Sequence, residues 1–295
     1  MTVFLLGAAC TAGRVDVAPA PDGRLSVVAA ESFWGSIAAQ LGGDRVQVTS
    51  VIHSPGADPH DFEATPRDAR QLAAAQYVIV NGAGYDPWSR DVLDANPADG
   101  RAVLDVGSLL DVREGDNPHR WYFPSDVERV IARIVADYQR LDPAHRGYYE
   151  TRRAVFESDA LASYTDLLDQ IKSEFGGTPV GASETFFDGI AEATGLDVRT
   201  PAGFRAAISE GTDPSAADRA TVDGQLRDRE IRVLAYNQQN ATPDVAEVVD
   251  EAARAGIPVV AFTESPPEGS SFQEWQASQL QALLDALRRT RGAGR

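Results

Sequence analysis

Cysteine, lysine and histidine are all scarce in this chain of 295 residues: there is one cysteine, one lysine (Lys172) and only four histidines. With Cys10 alone, no internal disulfide can form. The 27 basic residues stand against 44 acidic ones, a net charge of −17. Such a balance excludes an ordinary nucleic-acid binder, which needs clustered cations to displace phosphate counterions. The apolar start, "MTVFLLGAAC", is too short to span a bilayer. What the chain does have is 43% hydrophobic residues, enough for a packed core, and a length comfortable for two domains.

The N-terminus reads as an export segment. A short apolar run closes on Gly-Ala-Ala and then Cys10, a setting similar to bacterial lipoprotein processing sites. We expect Cys10 to carry lipid and anchor an extracytoplasmic protein to a bacterial membrane. Residues 1–24 are then signal and tether, because "TAGRVDVAPAPDGR" is Ala/Pro/Gly-rich and without periodicity.

From Leu25 onward, short β-branched runs alternate with amphipathic stretches. "LSVVAA", "VQVTSVI", "YVIVNG" and "AVLDVG" read as strands. Between them, "SFWGSIAAQLGG" and "ATPRDARQLAAA" read as helices, the second opened by Thr65 as N-cap with Asp68 completing a capping box. After the amphipathic "SDVERVIARIVADYQRL", residues 144–175 read as one long helix stopped by Gly176-Gly177. Alternation then resumes with "TPVGAS", "LDVRT", "IRVLAYN" and "IPVVAFT" as strands. The expected fold is α/β with two lobes, each a parallel β-sheet flanked by helices. Lobe boundaries of 25–143 and 176–291 leave residues 144–175 as the rigid link.

Ligands of parallel sheets sit in loops beyond the strands' C-terminal ends. Four chemistry-bearing residues fall there: His60, His119, Glu184 and Glu264. Each lobe contributes two, and facing lobes would bring two imidazoles and two carboxylates to one cleft, a set suited to a first-row divalent cation. Each residue also has an ordinary reading. A loop histidine is commonly solvated, Glu184 fits a first helical turn, and Glu264 precedes Pro266-Pro267 as a turn residue would. His53 and His145 read as exposed or structural. Matching topological placement is what singles out the four.

Those segments also resemble a known family. "VTSVIHSPGADPHDFEATPRDARQLAAAQYVIVNGAGYDPW", "NPHRWY", "SETFF" and "VVAFTESPPEG" are similar, in order, to the metal-binding solute-binding proteins of ABC importers, the ZnuA/TroA-like or cluster A-I group. The resemblance runs from about Leu25 to Leu287. It implies two α/β lobes on a rigid helix, Mn²⁺ or Zn²⁺ as transported ligand, and a permease with its ATPase as partners of a monomeric binding protein. It implies metal ligation by His60, His119, Glu184 and Glu264.

Two departures bear on the metal. The segment "VREGDN" is short and lacks histidine where zinc-specialised members carry a long His-rich loop, and Phe123 stands where members commonly place an acid. A glutamate at the third ligand position adds a hard oxygen, which leans towards manganese. Alternatives are a metal-dependent enzyme or a surface adhesin on the same fold. The enzyme reading lacks an HExxH motif, and a dinucleotide site at "VIVNGAGYDP" fails because its third glycine would fall on Pro87.

Overall fold

The computed structural model describes residues 22–53, 62–240 and 242–292. The first lobe contains β1 (Leu25–Glu31), α1 (Ser32–Gly42), β2 (Val46–Ile52), α2 (Pro66–Ala74), β3 (Tyr77–Val80), α3 (Pro87–Ala95), β4 (Ala102–Asp105), α4 (Val106–Leu110) and α5 (Pro124–Leu141). Two helices follow, α6 (Arg146–Val155) and α7 (Ala162–Phe175). The second lobe contains β5 (Pro179–Ala182), α8 (Asp188–Thr194), β6 (Asp197–Val198), α9 (Ala202–Ser209), α10 (Ala216–Arg227), β7 (Leu234–Asn237), α11 (Pro243–Arg254), β8 (Val259–Phe262) and α12 (Phe272–Gly292).

Each lobe is a four-stranded parallel sheet, in the orders β2-β1-β3-β4 and β6-β5-β7-β8. The central strands β1, β3, β5 and β7 are largely buried on both faces, which is why they read as continuous apolar runs with little alternation. In both sheets the connections leave in opposite directions from the central pair, β1/β3 and β5/β7. The crevice at such a switch point is where α/β sheets bind ligands.

The expected capping box is present: Asp68 N donates to Thr65 Oγ1, and Thr65 N donates to Asp68 Oδ2 at 2.9 Å. Three helices, α3, α4 and α9, were not legible in the sequence. They are five to nine residues long, and none opens on a capping box like the one that marks α2.

The long helix expected over 144–175 is interrupted. Phe156–Ala160 form a π-turn, in which Leu161 N donates to Phe156 O at 3.0 Å. The buried residues Phe156 and Leu161 are five apart, one more than an α-turn can place on the same face. The wider turn absorbs the extra residue and keeps both side chains in the core.

One apolar cluster runs through both lobes. It joins Phe33, Trp34 and Trp121 to Tyr122, Phe186, Phe262, Trp275 and Leu287. Cross-lobe polar contacts reinforce it: Tyr122 Oη donates to Thr263 O at 2.6 Å, and Phe272 N donates to Ser36 Oγ at 2.9 Å.

Candidate metal centre

His119 ends the loop after α4, and its orientation is fixed locally. Asn117 Oδ1 accepts from His119 N at 3.1 Å and lies 2.9 Å from His119 Nδ1. Since that oxygen already accepts a backbone N–H, Nδ1 carries the ring hydrogen. The Nε2 lone pair then points towards Glu264, whose Oε1 is 3.5 Å away. Thr185 Oγ1, 3.2 Å from Nδ1, supports the ring from the second lobe. Asn117 Nδ2 donates to Thr185 O at 2.7 Å, so the same side chain ties the lobes together.

Glu184 follows β5 in extended conformation, directly before a 3₁₀ turn at Thr185–Phe187. It therefore stands at the strand edge, where the sequence placed it, and not in a helical turn. Glu264 lies two residues past β8. Its backbone N–H donates to Gln239 Oε1 at 2.5 Å, and Ser265 N donates to the same oxygen at 3.1 Å. The Glu264 carboxylate accepts from Asn237 Nδ2 at 2.6 Å through Oε1, and from Tyr85 Oη at 2.8 Å through Oε2. Asn237 Nδ2 also lies 3.5 Å from Glu184 Oε2. Asn237 closes β7, so three neighbouring strand ends of the second lobe supply this side of the centre.

Among the described residues, His119, Glu184 and Glu264 are the group whose donor atoms converge closely enough to hold a metal. One atom from each lies within 4.8 Å of the others, and all three side chains are buried. Burying two carboxylates together with no cation between them is costly. Tyr122 sits beside them. Burial, with the Glu264 and Glu184 charges adding to it, pushes its hydroxyl well above the ordinary tyrosine value, so it stays a neutral donor.

His60 and Cys10 lie outside the described residues. His53 is exposed, with Nδ1 2.9 Å from Val51 O, and His145 pairs with Asp142 at 2.8 Å. Both are structural or exposed, as the sequence suggested. The reading of the sequence missed Asn117, Asn237, Gln239 and Tyr85. The Asn two places before His119 was a visible signal, because an Asx side chain at that offset commonly captures the backbone of a turn. The other three act across long sequence separations, and no local pattern announces them.

The sequence profile described as "Zinc-uptake complex component A periplasmic" matches residues 27–286. The chain belongs to this family. Its members are substrate-binding proteins of transporters and not enzymes, which removes the metalloenzyme alternative. The manganese ABC transporter substrate-binding lipoprotein PsaA of Streptococcus mitis is 24% identical over 305 residues, covering 95% of this chain and 94% of the relative. The high-affinity zinc uptake system protein ZnuA of Bacillus subtilis is 24% identical over 321 residues, covering 96% and 94%. Among solved structures, the Mn-bound periplasmic metal binding protein from Candidatus Liberibacter asiaticus superposes with a TM-score of 0.75 at 18% identity. That match covers 90% of this chain and all of the other. The Ni²⁺ complex of FpvC from P. aeruginosa gives a TM-score of 0.72 at 20% identity, covering 90% and 98%. At these identities the structural likeness establishes the fold.

Proposed function

We propose that this protein captures a divalent transition metal, manganese or zinc, outside the cytoplasmic membrane and delivers it to an ABC permease and its ATPase. One observation carries the reading: a buried imidazole from the first lobe and two buried carboxylates from the second aim donor atoms at a common point. His119, Glu184 and Glu264 are the proposed ligands. His60, which lies in the sequence between β2 and α2 and outside the described residues, is the proposed fourth. A set of one or two imidazoles and two carboxylates suits first-row divalent ions. The relatives named for manganese and for zinc uptake support the same reading. Lipid on Cys10 would hold the protein near its permease, and one copy of the chain carries all four proposed ligands, so we propose a membrane-anchored monomer.

The test is metal analysis of the protein purified from its own host, beside a His60→Ala/Glu184→Ala double variant. The reading expects about one manganese or zinc per chain in the unsubstituted protein and none in the variant. Equal content in both, or no metal in either, would overturn it. Metal competes with protons for imidazole nitrogen, so affinity should also fall as the medium is acidified.

A further inference from the structure

The two proposed carboxylate ligands leave the second sheet in the same way. Glu184 stands two residues past β5, and Glu264 stands two residues past β8. Between those strands runs β7, with Ala235 in register with Ala182 and Asn237 in register with Phe262. Its last residue, Asn237, therefore stands between the two carboxylates. The side chain is 1% exposed, and its amide is oriented from within its own loop. Gln239 N donates to Asn237 Oδ1 at 2.9 Å, which leaves the two hydrogens of Nδ2 for the carboxylates. Asn237 N donates to Ser183 Oγ at 3.1 Å, so the backbone is held from the β5 side as well. Nδ2 lies 2.6 Å from Glu264 Oε1 and 3.5 Å from Glu184 Oε2.

We propose that Asn237 is a positioning residue of the metal centre: its amide nitrogen, lying between Glu184 and Glu264, holds the two carboxylates at the spacing that a single divalent cation requires. The proposal rests on the metal-capture reading above. Two buried carboxylates repel each other when no cation lies between them, and an amide there supplies N–H donors without adding a charge. An ionised carboxylate offers about four lone-pair sites, so an oxygen that accepts from Nδ2 can still ligate an ion. Amide and ion therefore act on the same carboxylates together. An aspartate at this place would add a third negative charge, and an alanine would remove the donors. Gln239 completes the arrangement, because its Oε1 accepts from the backbone N–H of Glu264. One Asn-x-Gln segment thus fixes both the main chain and the carboxylate of that ligand.

The experiment compares the full-length protein with Asn237→Ala. It measures the Zn²⁺ dissociation constant by chelator competition and the visible absorption spectrum of the Co²⁺ complex. Expected is binding weaker by about 10–100-fold, the loss typical of removing a partner that orients a metal ligand. The Co²⁺ bands should shift as well, because carboxylates released from the amide set a different geometry around the ion. A merely structural role would lower the melting temperature of the metal-free protein and leave both readouts unmoved. An affinity unchanged or tighter, or an unshifted spectrum, overturns the proposal. Should Asn237→Ala fold poorly, a crystal structure of the unsubstituted protein with Zn²⁺ bound decides. Asn237 Nδ2 within hydrogen-bond distance of both carboxylates while both ligate the ion supports the proposal, and an amide turned away from either refutes it. If the unsubstituted protein binds neither Zn²⁺ nor Co²⁺, the capture reading itself falls; if it binds both and the variant matches it, only the role of Asn237 falls.

Discussion

Asn117 Oδ1 lies 2.9 Å from His119 Nδ1 and thereby decides which imidazole nitrogen is left for a metal. Partners of this kind set both tautomer and ring orientation, and losing them typically costs roughly 10–100-fold in affinity. Asn117→Ala should weaken metal binding by that order. Asn117→Asp keeps an acceptor for Nδ1–H and should recover most of the loss, although it forfeits the donation to Thr185 O. Isothermal titration with Zn²⁺ separates the two. If the Asp variant is as weak as the Ala variant, the tie between lobes matters and the tautomer does not.

Asn117 also shows how far the sequence could be read. The strand ends were visible because buried parallel strands are short apolar runs, and three of the four residues singled out there, His119, Glu184 and Glu264, bring donor atoms within 4.8 Å of one another. Phe123 stands where relatives of this family commonly place an acid, and here an amide on the other side of His119, that of Asn117, orients the ring. The interruption of the linking helix was encoded in the five-residue step from Phe156 to Leu161, but one irregular step within a long amphipathic pattern has little weight until packing shows that both ends are buried. Tyr85 was invisible as a site residue. Its partner is 179 positions away, and only the closed fold brings them together.

Glu31, at the end of β1, and Asp86, the N-cap of α3, form a buried acidic pair. Burial, and then the neighbouring Asp86 charge, hold Glu31 well above the usual carboxylate range. Burial also raises Asp86 to about 6, against the lowering effect of the hydrogen bonds it accepts from Gly82 N and Asn81 N. Folded-state values above the unfolded ones mean that the native protein binds more protons than the unfolded chain. Stability is therefore fully present below about pH 4, and this contribution declines as pH rises through 6 and beyond. Glu31→Gln keeps the neutral shape and removes one ionisation. Its melting temperature should match that of the unsubstituted protein near pH 4 and exceed it by several degrees at pH 8. A constant difference across that range would show that the pair does not share a proton.

Gly189, on α8, faces the turn that carries His119. A Cβ there would fall inside contact distance of the Tyr122 carbonyl and press on the Phe123 ring. The neighbours are backbone and a buried aromatic side chain, so relief requires moving the inter-lobe packing. Gly189→Ala should destabilise by about 1–3 kcal/mol in urea unfolding, despite the better helix propensity of alanine. It should also weaken metal binding, because the turn at Arg120–Tyr122 follows directly on His119. A variant as stable as the parent would mean that the contact relaxes at no cost.

The apolar cluster shared by the lobes limits how the protein can open. Pulling the lobes apart would expose Phe186, Phe262 and Tyr122, whose rings pack at 5.3–6.4 Å, and would break the Tyr122–Thr263 bond. Each buried aromatic side chain loses on the order of 1.5–3 kcal/mol when fully exposed. A hinge closure of the kind that swings two separate domains is therefore disfavoured. Loss of metal should instead be felt at the carboxylates, where the repulsion between Glu184 and Glu264 returns, and in the loops carrying the ligands. Small-angle scattering of the loaded and metal-free protein should give nearly equal radii of gyration, while hydrogen exchange rises at the loops after β4, β5 and β8. A change of several ångströms in radius would show that the shared core parts, and that capture works by whole-lobe movement.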